Sequence, residues 1–359
     1  MGRTIFVYEF LTAGGCWSLG DKAPSGSLLA EGRAMRDALA RDFVAMGEVE
    51  SLLLMHDGRL TEPTLPKQQL FVASSKDDAQ RHFQRLAAEA TATVVIAPEF
   101  SQLLWQRVKW AEEAGAKLLS PASELVKLAS DKQRTAEHLA EHGVRVPQGI
   151  SFSGMPTGFE KGLFPAVLKP NDGCGSLHVR RVKSAADFEM VDWSQAFRWR
   201  LEEFIPGIAV SVAIIGGTTG FVCLAPCEQV LSSDGQFSYW GGRAPLPAHL
   251  AKRATTLAQS AAGVLPKMRG WIGIDMVLGS AENGASDFVI EINPRLTTSY
   301  IGLRRICKQN LAQVMWQAAA GETVELSYKA GRIEFLSDGA IREFTASSSQ
   351  TIPLESVSS

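Results

Sequence analysis

Cysteine is scarce and irregularly spaced in this chain: five residues, an odd number, with no second pair to match Cys223 and Cys227. That argues against a disulfide framework and against a four-cysteine zinc site. Buried free thiols in a reducing cytoplasm are expected instead. No apolar run approaches the ~18 residues of a membrane span. One-sided charge is missing too. The net charge is −2, with no basic tail, so there is no electrostatic footprint for nucleic acid. Residues 1–7 run straight into a strand pattern without a leader-like apolar region, and Phe6 stands where a myristoylation signal needs Ser or Thr. Also absent are G-x-G-x-x-G, the phosphate loop G-x-x-x-x-G-K-[ST], H-E-x-x-H, a nucleophilic serine motif and a catalytic Cys–His pairing. What is present is a chain of 359 residues, 45% of them apolar, with room for two or three domains and ample core.

Residues 1–120 alternate strand and helix patterns, which predicts an open, mostly parallel sheet. Strands are expected at 4–10, 52–55, 93–97 and 117–119, and helices at 27–46, 78–90 and 102–114. Gly14-Gly15 fall at the carboxyl end of the first strand, where open α/β sheets bind ligands. A smaller unit, 121–200, carries two helices (123–129 and 132–142), strands at 148–152, 165–169 and 178–182, and a Gly-rich turn. From 201 to 345 the pattern becomes long antiparallel strands at 198–204, 210–215 and 221–230, with helices at 248–265 and 305–320. Residues 346–359 are Ser-rich and expected to be a disordered tail.

The most informative stretch is Glu291-Ile-Asn293-Pro-Arg295, read with Asp275 sixteen residues earlier. A strand alternates faces, so Glu291 and Asn293 share a side. Asn283-Gly284 between the two runs is a hairpin signal, and folding back would gather Asp275, Glu291 and Asn293. Two carboxylates and an amide oxygen make a hard-cation site of the kind Mg²⁺ prefers, with positions left for phosphate oxygens. Solvated surface carboxylates are the alternative, weakened by the apolar neighbours Phe288, Val289, Ile290 and Ile292.

Three further features could grip a nucleotide triphosphate. An apolar strand ends in Lys169 and turns through Gly173-Cys-Gly175-Ser176, where backbone N–H groups can approach phosphate. A plain turn with a snorkelling lysine is the alternative. Lys132 opens a helix after Ser130-Asp131, and a cation there opposes the helix dipole unless an anion is shared with it. Glu202-Glu203-Phe-Ile205-Pro-Gly ends one strand and turns into the next, and such an edge can offer backbone groups to adenine.

Taken in order, these elements resemble the ATP-grasp superfamily of carboxylate–amine ligases, over about residues 1–340. The resemblance implies an α/β and α+β fold: an N-terminal open α/β domain, a small lid with the Gly-rich loop, and a C-terminal antiparallel sheet domain. It implies ATP and two Mg²⁺ or Mn²⁺ ions as cofactors. Lys132 and Lys169 would bind phosphate, and Gly173, Gly175 and Ser176 would form a mobile loop over it. Glu202, Glu203 and Ile205 would form the adenine hinge. Asp275, Glu291 and Asn293 would hold metal, and Arg295 would steady the acyl phosphate. Small-molecule partners are implied, an amino acid and an amine, with no nucleic acid or membrane; a homodimer is left open.

Two departures matter. Ala209 stands where many members hold the ribose with glutamate, so another residue, Glu202 or Glu203, is expected there. Gly273 replaces the arginine of D-alanine–D-alanine ligases and argues against that activity. Val7-Tyr-Glu-Phe-Leu-Thr-Ala-Gly-Gly15 and Ile292-Asn-Pro-Arg-Leu-Thr-Thr-Ser-Tyr-Ile-Gly-Leu303 resemble the subgroup containing tyramine–glutamate ligases. That subgroup implies glutamate as acyl donor, a tyramine-like amine and a one-carbon coenzyme of the methylofuran type. Another amino-acid ligase, or a nucleotide-binding regulator without turnover, are the alternatives.

The remaining candidates have plain readings beside them. His138 and His142 are i, i+4 on a charged helix, where solvation is the expectation. His178 follows the Gly loop, and Glu9 either orients a substrate amine or caps a turn. Residues 239–243 read as a loop whose aromatics and Arg243 suit an amine or a carboxylate.

Overall fold

The computed structural model describes residues 2–61, 65–156, 164–194 and 197–344. The tail expected at 346–359 lies outside them.

The β-branched and aromatic run Arg3–Glu9 forms β1, the inner strand of a four-stranded parallel sheet. Its neighbours are β2 (Val49–Asp57) and β4 (Ala92–Ile96), with β3 (Gln68–Ala73) at the edge beyond β2. Helices α1 (Ser27–Ala45), α2 (Lys76–Glu89) and α3 (Leu103–Glu113) provide the crossovers. Strands buried on both faces need such cover, and all five residues of β4 are buried. Strand β3 was not anticipated. The strand expected at 117–119 is only a single bridge, Leu118 to Thr93.

A second sheet is antiparallel, in the order β5 (Gly149–Ser153), β8 (Arg198–Glu203), β6 (Ala166–Pro170) and β7 (Arg180–Val182). Before it come α4 (Ser123–Ala129) and α5 (Lys132–Glu141), and α6 (Ala185–Glu189) packs beside β7. An aromatic cluster of Phe188, Trp193 and Trp199 fills its core.

The third sheet has eight strands. Its spine is β9 (Ile208–Gly216), flanked by β10 (Phe221–Cys223), β11 (Cys227–Leu231) and β13 (Gly270–Leu278). Strand β14 (Phe288–Asn293) pairs with β13; β12 (Tyr239–Ala244), β15 (Arg332–Leu336) and β16 (Ile341–Phe344) continue the other edge. Helices α7 (Ala248–Val264), α8 (Ser299–Ile306) and α9 (Leu311–Ala320) cover it.

Three expectations are corrected here. The single strand expected at 221–230 breaks at Leu224-Ala-Pro226, since proline cannot donate to a ladder. Cys223 and Cys227 therefore sit on different strands; both are free thiols, as are Cys16, Cys174 and Cys307. The helix expected at 305–320 is two helices, because Asn310 caps α9 by accepting from the Ala312 and Gln313 N–H groups. Residues 239–243 are a strand, not a loop. Gly241 and Gly242 are required there, since a Cβ would meet Phe335 O at 2.0 Å and the Phe335 ring at 2.5 Å.

Candidate active site

Strands β13 and β14 carry the carboxylates. Their register sets Asp275 opposite Glu291 and Gly273 opposite Asn293. Asn293 Nδ2 donates to Asp275 Oδ2 at 3.0 Å, so the three predicted metal ligands do converge. A bulge follows, because Met276 pairs with Val289 and leaves Ile290 unmatched. The Ile290 carbonyl accepts a long bond, 3.4 Å, from Lys169 Nζ.

Both predicted lysines reach this hairpin. Lys132, 8% exposed, donates to the Gly173 carbonyl and pairs with Glu291 Oε1 at 2.8 Å. Lys169, 3% exposed, pairs with Glu202 Oε1, while Arg200 Nε takes Glu202 Oε2 at 2.7 Å. Helix α5 is not waiting for an anion. Asp131 caps Arg134 N–H, Asn171 Oδ1 accepts from Gln133 N–H, and Asn171 O accepts from Lys132 N–H. The cation at its first turn is answered by Glu291.

Burial opposes charge on Glu291, but Lys132, Lys169 and Arg295 outweigh it and hold its carboxyl below the ordinary range. Among the described residues no cation is paired with Asp275. Burial, then the Glu291 charge, push it up to about 6, although Ser211, Asn293 and Gln229 donate to it. A hard-oxygen set of two carboxylates and an amide, with one carboxylate electrostatically underserved, fits a divalent cation. Among the described residues no group of three or more His, Cys, Asp or Glu is placed to hold a metal ion.

Arg295 leaves the turn after β14 and its Nε pairs with Glu99 Oε1 at 2.8 Å. Burial opposes its charge, yet Glu99, and after it Cys174 and Glu31, raise its pKa. Glu99, Ser211, Gln229 and Glu31 were not singled out from sequence. Glu99 follows β4 in a Pro-Glu-Phe turn with no periodicity to mark it, and its partner lies 196 residues away.

The Gly-rich loop turns through Gly175, Ser176 and His178, all at positive φ near +60°. Its Cys174 is buried, and burial with Glu99 nearby pushes its thiol up to about 12. Glu203 is exposed and Ile205 half-buried, at the hinge from β8 to β9. Ala209 pairs with Val277 and alternates onto the same side as Ser211, which bonds Asp275.

The other candidates meet local protein partners, Trp240 excepted, which closes no core. Glu9 is buried and accepts from the Leu11 and Thr12 N–H groups, capping the turn. His138 contacts the Val264 carbonyl and His142 that of His138. The His178 ring lies against Phe197. Trp240 is exposed, and Arg243 pairs with Glu334 at 3.0 Å.

Comparison with known proteins now bears on this geometry. The ATP-grasp domain family matches residues 129–299, and the pre ATP-grasp 3 domain family matches residues 51–126. The chain belongs to the ATP-grasp superfamily. ATP-grasp ligases such as tyramine–glutamate ligase and D-alanine–D-alanine ligase are ATP-dependent, ADP-forming enzymes. The chain is similar to the tyramine–L-glutamate ligase of Methanocaldococcus jannaschii, with 25% identity over 335 residues, 91% of this chain and 92% of the relative. A D-alanine–D-alanine ligase of a Caulobacter species is 31% identical, but only over 148 residues, 37% of this chain and 46% of that one. Among solved structures, a protein of Archaeoglobus fulgidus assigned to the ATP-grasp superfamily superposes with a TM-score of 0.70 at 22% identity, covering 93% of this chain and 92% of its own. The L-amino acid ligase of Bacillus licheniformis gives 0.70 at 15% identity, covering 93% and 79%. The ATP-grasp fold expected from sequence is thereby shown. No helix among the described residues is long and apolar enough to cross a membrane.

Proposed function

We propose that this ligase joins the γ-carboxylate of glutamate to tyramine or a tyrosine-like amine. The carrying observation is the convergence of Lys132, Lys169 and Arg295 around Asp275, Glu291 and Asn293. Substrate identity is supported by the M. jannaschii relative and by the two sequence stretches noted above. In this reading the product feeds a one-carbon coenzyme of the methylofuran type. The three-domain division at 120 and 200 belongs to the same reading.

ATP phosphorylates the carboxylate, releasing ADP; the amine then attacks the acyl phosphate and phosphate leaves. The chain's part is positioning and charge balance. Lys132 and Lys169 lie against phosphate oxygens, and N–H groups of the loop at Gly173, Gly175 and Ser176 add donors. Glu202, Glu203 and Ile205 border adenine. Arg295, rigidly paired and permanently charged, steadies the acyl phosphate. Asp275, Glu291 and Asn293 would hold two Mg²⁺ or Mn²⁺ ions, which supply charge neutralisation on the phosphates.

The test is phosphate release by purified protein with ATP, Mg²⁺, glutamate and a panel of amines, with the amide identified by mass. Release that depends on both glutamate and an aromatic amine is expected. ATP binding with no amine-dependent release under any combination would refute turnover in favour of a nucleotide-binding regulator.

A further inference from the structure

Glu99 is 3% exposed, and only one of its carboxylate oxygens is used. Oε1 holds Arg295, while Oε2 is buried with no hydrogen-bond partner among the described residues. A buried acceptor left unmet costs roughly 1–3 kcal/mol, so it marks a place where a donor belongs. Glu99 also lines a cavity of about 690 Å³, between the turn after β4 and the Gly-rich loop. That volume is in the range of small-molecule sites. Its walls include Phe100, Trp105, Leu177 and Phe197, with the cations Lys127, Arg134 and Arg198 set against Asp131 and Asp172. A carboxylate accepts hydrogen bonds and donates none, so its complement here is an N–H or O–H group. With aromatic walls beside it, the complement that also uses the walls is a cationic nitrogen on a ring-bearing chain.

We infer that this cavity is the amine site, that the Glu99 carboxylate in its wall draws the substrate ammonium, and that Trp105 and Phe197 hold an arylalkyl group. The inference rests on the ligase reading above and deepens it. It also explains why Glu99 bridges two functions. The carboxylate that orders Arg295 beside the acyl phosphate also places the nucleophile's nitrogen next to it. Residues 239–243, expected from sequence to suit an amine, lack this combination, because Arg243 is committed to Glu334 and Trp240 lies exposed.

Three measurements test the inference. Tyramine is titrated by calorimetry into protein saturated with ADP and Mg²⁺, and its Kd is expected to rise at least tenfold in Trp105→Ala and in Glu99→Gln. Trp105→Phe, which keeps a ring, should stay within about threefold of the parent protein. In turnover, the KM for amine should rise in parallel while that for ATP moves less than about twofold. 4-Ethylphenol, which keeps the ring and lacks the nitrogen, should compete at least tenfold more weakly than tyramine, a comparison that needs no variant. Folded Trp105→Ala and Glu99→Gln proteins with the parent affinity for tyramine, or 4-ethylphenol competing as well as tyramine, would overturn the inference. If the parent protein still forms amide in that event, the ligase reading stands. A parent protein that neither binds an amine nor releases phosphate with one overturns both.

Discussion

Replacing Glu291 by glutamine removes one charge and almost no volume, which isolates its electrostatic role. In the ligand-free protein two effects oppose each other. Lys132 is buried and loses its carboxylate partner at 2.8 Å. Breaking one side of a buried pair costs about 3–5 kcal/mol when nothing else meets the remaining charge. Lys132 keeps the Gly173 carbonyl, which reduces that cost. Asp275 meanwhile loses the like charge that helps push it up to about 6, a gain on the order of 1 kcal/mol per pKa unit recovered. The net loss of folding stability should therefore be small, about 1–3 kcal/mol, and readable as a lowered urea midpoint at constant slope. Turnover has no such compensation. A metal set reduced to one carboxylate leaves phosphate charge unbalanced, and about 4 kcal/mol lost in the transition state is a thousandfold in rate. Phosphate release should be followed in Glu291→Gln while Mg²⁺ is raised to saturation. Turnover within tenfold of the parent protein would refute the metal assignment, whatever happens to stability.

Three other outcomes are expected. The unfolded chain releases the Asp275 proton near its ordinary 3.8 while the folded protein keeps it to about 6, so rising pH removes stability across that window, on the order of 3 kcal/mol at most. Urea midpoints between pH 4 and 6.5 should fall without Mg²⁺, recover with it, and flatten in Asp275→Asn; an unchanged slope in that variant refutes the account. Limited proteolysis at residues 173–176 should slow when ATP and Mg²⁺ are added, as a phosphate-covering loop requires, and equal cleavage would make it a static turn. Glu202 is committed to Lys169 and Arg200, so Glu203 is the remaining hinge carboxylate for the ribose. Glu203→Ala should weaken ATP about tenfold by calorimetry, near 1.4 kcal/mol, and an unaltered Kd would remove it from the site.

The hairpin that carries Asp275, Glu291 and Asn293 was legible because everything that defines it is local. Asp275, Glu291 and Asn293 lie on two short strands joined by a turn with Gly284 at positive φ, and strand alternation alone orients them. The lysines were legible for the same reason, each standing at the end of a regular element. Glu99 was not, since its meaning comes from Arg295, and no pattern in one segment announces a partner in another. Strand β12 was misread because Gly241-Gly242 look like a turn until Phe335 packs onto them. Strand β3 escaped for another reason. It is an edge strand in which only Ala73 of the six residues is buried, and its short apolar run opens on Gln68-Gln69.

The ion pairs of the site have a thermodynamic consequence. On the proposed roles, each phosphate-binding lysine is already neutralised by a carboxylate, Lys132 by Glu291 and Lys169 by Glu202. A nucleotide arriving alone would draw Lys132 away and leave Glu291 beside Asp275 without its ion-pair partner, with only Lys169 and Arg295 to offset its charge. A cation arriving alone would compete with that same lysine for the Glu291 oxygen. Each ligand removes the obstacle to the other, so ATP and Mg²⁺ enhance one another's affinity, and linkage requires the factor to be identical in both directions. The site is thus a charge-balanced latch that opens to the pair of ligands and resists either one singly.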